Sequence, residues 1–134
     1  GISEGMKGGK IVVDGDVGSD SGCYIRGGLI KIKGNAGPFL GYHMSDGTIH
    51  VEKNVGPRIG ANMVGGKIVV SGSVEAIMPT FTIDTTKPKV KIDETESAQG
   101  PFYVFLGDLA ENGTGKLFVS KANNSNLKTY EKFL

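Results

Sequence analysis

The chain has 134 residues, of which 22 are glycine, and its formal net charge is +1. This length fits one domain with a buried core, and the even mixture of lysines and acidic residues excludes the basic stripe that nucleic acid requires. The sequence contains neither an apolar run long enough to span a membrane nor a signal peptide, so it predicts a cytoplasmic protein without membrane contact. The single cysteine, Cys23, excludes an internal disulfide and fits a reducing compartment.

A repeat of 19 residues fills the first half of the chain, and its copies begin without gaps at Gly5, Tyr24, His43 and Asn62. Equivalent places in the copies hold the same kind of residue. Isoleucines align at Ile11, Ile30, Ile49 and Ile68, and glycines at Gly9, Gly28, Gly47 and Gly66 and again at Gly22, Gly41 and Gly60. A fixed period near 20 residues is typical of a solenoid, whose repeats bury their apolar sides by stacking on their neighbours.

The glycines indicate which solenoid this is. A glycine costs about 1 kcal/mol relative to alanine inside a helix, and the spaced leucines of leucine-rich repeats are absent. We therefore predict a parallel β-helix with one coil per repeat and ladders of like residues roughly 4.8 Å apart. The glycines are expected at corners, where the backbone needs positive φ or packs tightly against the next coil.

Alternation within each repeat predicts which side chains face inward. Ile30 and Ile32 point to the interior of the coil, and Lys31 between them points outward. A second inward column follows the corner, at Val17, Ala36, Val55 and Val74. The outward column is mixed, as a solvent-facing side would be, and consists of Val12, Lys31, His50 and Val69.

The first coil carries the same apolar ladder as the inner coils, at Met6, Ile11 and Val13. Solenoids usually protect their ends with an atypical polar unit, and this chain begins in the middle of a coil with Gly1 in place of an initiator methionine. We therefore expect further coils or a partner to cover this end.

After Val74 the repeat ends. Apolar alternation at 81–83, 90–92, 102–106 and 117–119 predicts short strands that close the C-terminal end, with a tight turn at Asn112-Gly113. This divides the chain into coils over 1–76, a strand-rich cap of the same domain over 77–120, and a polar tail or short helix over 121–134.

Residues capable of catalysis or metal binding are few. A metal site needs several converging ligands, whereas His43 and His50 occupy different columns and are predicted to be surface histidines. An iron–sulfur cluster requires about four cysteines and is excluded for this chain. No histidine is placed to activate Cys23, which is predicted to be a packing or surface residue.

Three further patterns fail as active sites. The segment Gly113–Lys116 lacks the glycine and the hydroxyl residue that a phosphate-binding loop needs at its two ends. The aspartates at Asp14, Asp16 and Asp20 do not recur with a calcium-binding period and indicate a solvated edge, and the outward column lacks the carboxylates of a polysaccharide-cleaving groove. We predict that the chain has no catalytic, cofactor-binding or metal-binding residue and binds no small-molecule substrate.

The glycine pattern resembles a known family. Gly15-x-x-Gly18-x-x-x-Gly22, followed by Ile25-x-Gly27-Gly28-x-Ile30-x-Ile32-x-Gly34, is similar to the GXGXG domain. That domain occurs as a right-handed parallel β-helix at the end of the large glutamate synthase subunit and as the β-helical subunit of formylmethanofuran dehydrogenase. The resemblance spans residues 5–74 and departs at Asp46, Lys53 and Glu75, where glycine is usual.

The second half of the chain distinguishes these two relatives. Residues 100–119, with the core Gly107-Asp108-Leu109-Ala110-Glu111-x-Gly113-x-Gly115, are similar to the end of the β-helical formylmethanofuran dehydrogenase subunit. The chain would then correspond to the C-terminal half of such a subunit, from a methanogenic or related archaeon.

The resemblance implies a non-catalytic scaffold subunit. In that family the complex reduces carbon dioxide at a molybdopterin that carries molybdenum or tungsten, and an amidohydrolase-like subunit then fixes the formate on methanofuran as a step of methanogenesis. Molybdopterin and iron–sulfur clusters are implied in partner subunits only. The flat sides of the β-helix, including the Lys31/His50/Val69 face, are expected to dock the amidohydrolase-like and molybdopterin-binding chains. The alternatives are a structural module of a glutamate synthase system, which would bind flavin and iron–sulfur subunits, and a stand-alone structural β-helix.

Overall fold

The computed structural model describes residues 3–134, and within this range the chain consists mainly of β-strands. The strands and two 3-10 helices follow one another as β1 (Lys10–Val13), β2 (Arg26–Ile32), β3 (Asp46–Val51), β4 (Lys67–Val70), β5 (Thr82–Lys91), β6 (Ser97–Gly107), a 3-10 helix (Leu109–Glu111), β7 (Gly115–Ser120) and a C-terminal 3-10 helix (Ser125–Phe133). All seven strands belong to one sheet, in the order β1-β2-β3-β4-β7-β6-β5.

The first four strands form the predicted solenoid. They pair in parallel, one strand per coil, so that the isoleucine column stacks in the order Ile11, Ile30, Ile49, Ile68. Isolated parallel bridges stack the second column, which runs through Val17, Ala36, Val55 and Val74. The predicted parallel β-solenoid and both of its inward columns are therefore confirmed.

Polar side chains directly before the second inward column form a ladder of hydrogen bonds that joins one coil to the next. The side-chain oxygen Oδ1 of Asp16 accepts from the backbone N–H of Asn35 at 2.7 Å, Asn35 accepts in the same way from Asn54 at 3.0 Å, and Asn54 from Ser73 at 2.9 Å. Each coil thus supplies an acceptor for a backbone donor that the turn geometry leaves unpaired.

The corner glycines have the backbone geometry that the sequence predicts. Gly28 has φ of +90°, and a Cβ atom placed on it would lie 2.8 Å from both the carbonyl carbon of Gly8 and the oxygen of Gly9. Gly28 is therefore required both for its left-handed φ and for the close approach of the coil below.

The chain after Val74 differs from the prediction of short closing strands. Strands β5 and β6 are long and form an antiparallel hairpin, and β7 then pairs in parallel with β4, with Leu117 beside Ile68. The solenoid therefore gains a further parallel strand after an inserted hairpin. Strands β6 and β7 pair antiparallel across this region as predicted, but residues 108–114 connect them as a seven-residue loop that contains the short 3-10 helix, so the predicted tight turn at Asn112-Gly113 is wrong. The insertion breaks the 19-residue register and hides this continuation from a periodicity analysis.

The hairpin folds over the outer side of the parallel strands. Its residues Val90, Ala98 and Phe102 form a buried cluster with Val69 and Phe118 of the sheet. The prediction of a solvent-facing outward column is therefore wrong for its third and fourth members, since His50 is only 4% exposed and Val69 is fully buried.

The C-terminal end of the solenoid is covered by the chain itself, whereas the N-terminal end is partly exposed. At the C-terminal end Leu127 packs into the core, and buried Asn124 accepts from the N–H of Val74 at 2.8 Å and donates to the carbonyls of Gly72 and Ser120. At the other end Ile11 is 38% exposed, although the isoleucines stacked on it are fully buried. Within residues 3–134 there is no helix of the length and apolarity needed to cross a membrane.

Candidate docking surfaces

The turn before each strand forms an unusual edge of the solenoid. Alternate residues of this turn adopt left-handed φ, as at Phe39 (61°), Gly41 (69°) and His43 (56°). The central residue is glycine in each coil, but the flanking residues carry side chains, namely Asp20, Tyr24, Phe39, His43, Arg58 and Asn62. Backbone hydrogen bonds between coils hold these turns, with Tyr24 N–H donating to Tyr42 O at 2.7 Å and Phe39 N–H to Pro57 O at 3.0 Å.

Four rings and one guanidinium group on this edge form a continuous cluster, which we call the aromatic corner. Its members are Tyr24, Phe39, Tyr42, His43 and Arg58. The rings of Tyr24 and His43 stack in parallel with centroids 5.1 Å apart, and Tyr42 meets both of them edge-on. Phe39 packs edge-on against Tyr42, and the Arg58 guanidinium lies 5.8 Å from the centre of the Phe39 ring. The corner faces outward, and Tyr24 is 47% exposed.

The corner retains large side chains where the backbone favours glycine. A residue with a Cβ atom in the left-handed region is disfavoured by roughly 1–2 kcal/mol, and an aromatic pair returns about 0.5–1.5 kcal/mol. Stability alone therefore gives little reason for Tyr24, Phe39, His43 and Arg58 to stand at these positions. Backbone strain of this kind gathers at functional sites, and tyrosine and arginine are enriched among the residues that dominate protein interfaces.

The sequence predicts two surface histidines, but only His43 belongs to a surface group, whereas His50 is buried. The aromatic corner as a whole is missing from the sequence-based prediction. Its signal was available, because Tyr24 and His43 occupy the same place in consecutive repeats and must stack one above the other.

The second histidine lies in a polar cluster beneath the hairpin. His50 Nε2 is 3.1 Å from Ser71 Oγ, and its Nδ1 is buried without a hydrogen-bond partner. Beside it the Lys31 ammonium forms an ion pair with Glu96 at the tip of the hairpin. Burial, and then the positive charge of Lys31, lowers the pKa of the His50 imidazole. The hydrogen bond from Lys31 likewise lowers the pKa of Glu96.

This cluster corrects the expected docking face. The hairpin packs on Val69 and pairs with Lys31 through Glu96, and His50 between them is buried. His50 and Val69 are therefore not part of an exposed face.

The other candidate catalytic residues, Cys23 and Asp108, contribute to the packing and capping of the fold. Cys23 is free and buried, and burial raises the pKa of its thiol, so the nucleophilic thiolate is disfavoured. Buried Asp108 accepts from the backbone N–H of Asn62 at 2.8 Å and of Ala110 at 3.0 Å, so this carboxylate of the tail motif caps the short 3-10 helix. Within residues 3–134, histidine, cysteine and acidic side chains do not gather in groups of three or more that could hold a metal ion.

The fold and its surfaces define a class of protein: a parallel β-solenoid with a covering hairpin and an exposed aromatic corner suited to protein contacts. Neither a known protein family nor a curated protein matches the sequence. Among solved structures, the fold is similar to one chain of the formyltransferase/hydrolase complex from Methylorubrum extorquens, determined in complex with methylofuran. The TM-score is 0.58 and the identity 24%, and the match covers 88% of this chain and 65% of the other. This likeness shows a shared fold, and the chain spans 65% of the length of that relative.

Proposed function

We propose that this chain is a non-catalytic scaffold subunit of a multi-subunit complex that handles one-carbon groups at the formate level on a furan cofactor. The observation that carries the proposal is the fold similarity, over 88% of the chain, to a chain of a complex that was crystallised with methylofuran. The resemblance of residues 100–119 to the end of the β-helical formylmethanofuran dehydrogenase subunit supports the same group of complexes. The more specific form of the proposal is a scaffold of formylmethanofuran dehydrogenase, with molybdopterin and iron–sulfur clusters in its partners.

The architecture suits a rigid support. Hydrogen bonds run from each coil to the next at corners and strands, and apolar columns fill the interior from Ile25 to Val119. A stack of this kind deforms little, so a partner bound at one coil keeps a fixed position relative to a partner bound at another. We assign the principal contact with a partner subunit to the aromatic corner, because the corner combines exposed tyrosine and arginine with a strained backbone.

An affinity pull-down from the source organism, with mass spectrometry of the partners, tests the proposal. We expect subunits that act on formyl groups. An amidohydrolase-like chain together with a molybdopterin chain would identify the dehydrogenase, whereas formyltransferase and hydrolase subunits without molybdopterin would identify the other kind of complex. Recovery of glutamate synthase subunits, or of no partner, would contradict the proposal.

A paired substitution tests the assigned surface in the same experiment. Tyr24→Ala with His43→Ala should reduce partner recovery about tenfold or more, since truncation of hot-spot residues costs about 2 kcal/mol or more each. Phe133→Ala is the matched control, because Phe133 is a large aromatic residue that is 67% exposed on the C-terminal 3-10 helix. Equal recovery with both variants would place the interface elsewhere.

A further inference from the structure

A second surface of the chain concentrates positive charge. A groove of about 310 Å³ lies beside the starts of strands β3, β4 and β7. Its lining consists of Asp46, Gly47, Thr48, Gly66, Lys67, Thr114 and Lys116. The tip of the hairpin closes one side, where the Lys67 ammonium donates to the carbonyl oxygen of Lys91.

The lysines of this groove stand next to each other without acidic partners. Lys67 and Lys116 are directly paired in register on adjacent parallel strands, so their side chains leave the same face of the sheet about 4.8 Å apart. Like charges placed opposite each other destabilise a sheet. Within residues 3–134 neither ammonium lies within 4.0 Å of a carboxylate, since the lysines that form ion pairs are Lys10, Lys31, Lys33, Lys91 and Lys121.

The acidic residue in the groove does not neutralise this pair. Asp46 Oδ1 accepts from the backbone N–H of Gly47 at 2.8 Å and so belongs to its own turn. Burial, followed by the charges of Lys91 and Lys116, lowers the pKa of Lys67, which agrees with the close approach of these ammonium groups. Lysines on a free edge strand discourage aggregation, and this explains Lys87 and Lys89 on the edge strand β5. The same explanation does not apply to Lys67 and Lys116, because their strands are paired on both sides.

We propose that this groove docks an acidic segment of a partner protein. A segment with several carboxylates can meet Lys67 and Lys116 at once and extend along the three strand starts that line the groove, which is a longer contact than a single small anion makes. Thr48 lines the same groove, and its hydroxyl group adds a neutral donor for a carboxylate oxygen. The inference rests on the proposed scaffold role, because a partner subunit has to supply the segment.

Nuclear magnetic resonance titration of the whole chain with a synthetic peptide of alternating aspartate and serine tests this site. We expect the amide signals of Gly47, Gly66 and Lys116 to move at low salt and to return toward their free positions as salt is added, because screening weakens exposed ion pairs. The same peptide with asparagine in place of aspartate should move none of them. Equal shifts with the asparagine peptide would overturn the proposal.

Two charge-matched variants and one small anion complete the test. K67Q/K116Q should weaken peptide binding about three- to tenfold, the range expected for two exposed ion pairs, whereas K128Q/K132Q, with the same loss of charge on the C-terminal helix, should leave it unchanged. Equal weakening in both variants would show attraction to net charge only and would refute a site. If inorganic phosphate moves the same amides as strongly as the peptide, the groove is a small-anion site, and the docking proposal fails. A pull-down that recovers partners while the peptide fails to bind would reject this groove and leave the scaffold role intact.

Discussion

The stacked coils and the hairpin that covers them are stabilised in different ways. In the coils each apolar residue packs on its equivalents one repeat away, so Ile30, Ile49 and Ile68 share one environment and are all fully buried. The hairpin has no equivalents. The antiparallel ladder between β6 and β7, an apolar cluster around Phe102 and polar contacts such as the Lys31–Glu96 ion pair fix it to the sheet. Tyr103 and Phe105 of β6 also belong to the main core. The comparison shows that a repeat prescribes the interior of a solenoid but does not prescribe what covers its outer side.

Breaking a corner of the coils should have the largest effect. Gly28→Val places a β-branched residue at φ of +90° and a Cβ atom 2.8 Å from backbone atoms of the coil below, so we expect a loss of at least about 3 kcal/mol in the free energy of unfolding. Denaturant unfolding measures it. Gly15→Ala is the control, because a Cβ atom there meets nothing within 4 Å, and its stability should change by less than about 0.5 kcal/mol. Similar values for the two variants would refute the corner assignment.

Truncation of the main hairpin anchor tests whether the two regions separate. Phe102 is fully buried and meets Phe118 edge-on with ring centroids 6.5 Å apart, so Phe102→Ala should cost about 3–5 kcal/mol. We expect hydrogen exchange to accelerate in β5 and β6 while β2 and β3 keep their protection, since loss of a local anchor lowers the free energy of opening for the segment that it holds. Uniform acceleration in all strands would mean that hairpin and coils unfold as one unit.

Truncation within the ladder tests the coils themselves. Ile49→Ala removes a fully buried side chain and should cost about 2–5 kcal/mol. Ile11→Ala makes the same chemical change in the same column at the exposed end, where the side chain is already 38% exposed, and should cost less than about 2 kcal/mol. Equal losses in chemical denaturation would show that the end of the solenoid is as well packed as its centre.

Acidification should weaken the contact beneath the hairpin by a smaller amount. The buried His50 imidazole has a pKa below its ordinary value of 6.5, so its neutral form contributes stability above pH 6.5. This contribution is lost as the pH falls from there toward the folded-state pKa, because the unfolded chain then binds the proton more readily. Lys31 opposes protonation, and Glu52 and Glu96 favour it.

Melting temperatures measure this dependence. We expect a fall of about 2–4 °C between roughly pH 7.5 and 5.5, and a flatter profile for His50→Gln. His43→Gln alters the surface histidine and should keep the slope of the unaltered chain. If His50→Gln keeps that slope as well, the titration of another group controls the stability in this range.

The sequence predicts the stacked coils well and the hairpin that covers them poorly. The 19-residue period predicts the ladders, both inward columns and the corner glycines, because stacking makes equivalent residues neighbours. The period also places Tyr24 above His43, but glycine-centred reasoning does not reveal that these flanking residues adopt left-handed φ. The burial of His50 could not be predicted, because the hairpin that packs on its strand neighbour Val69 lies outside the repeat and far along the chain.

Glycine spacing and apolar periodicity are enough to predict a parallel β-solenoid with few groups for catalysis, since both act locally and repeat. Which surfaces are free depends on contacts between distant segments. The hairpin removes one face from solvent, the turns between coils gather five side chains into an aromatic corner, and strand β7 brings Lys116 beside Lys67. These contacts join segments that share no period, so their geometry depends on how the whole chain packs.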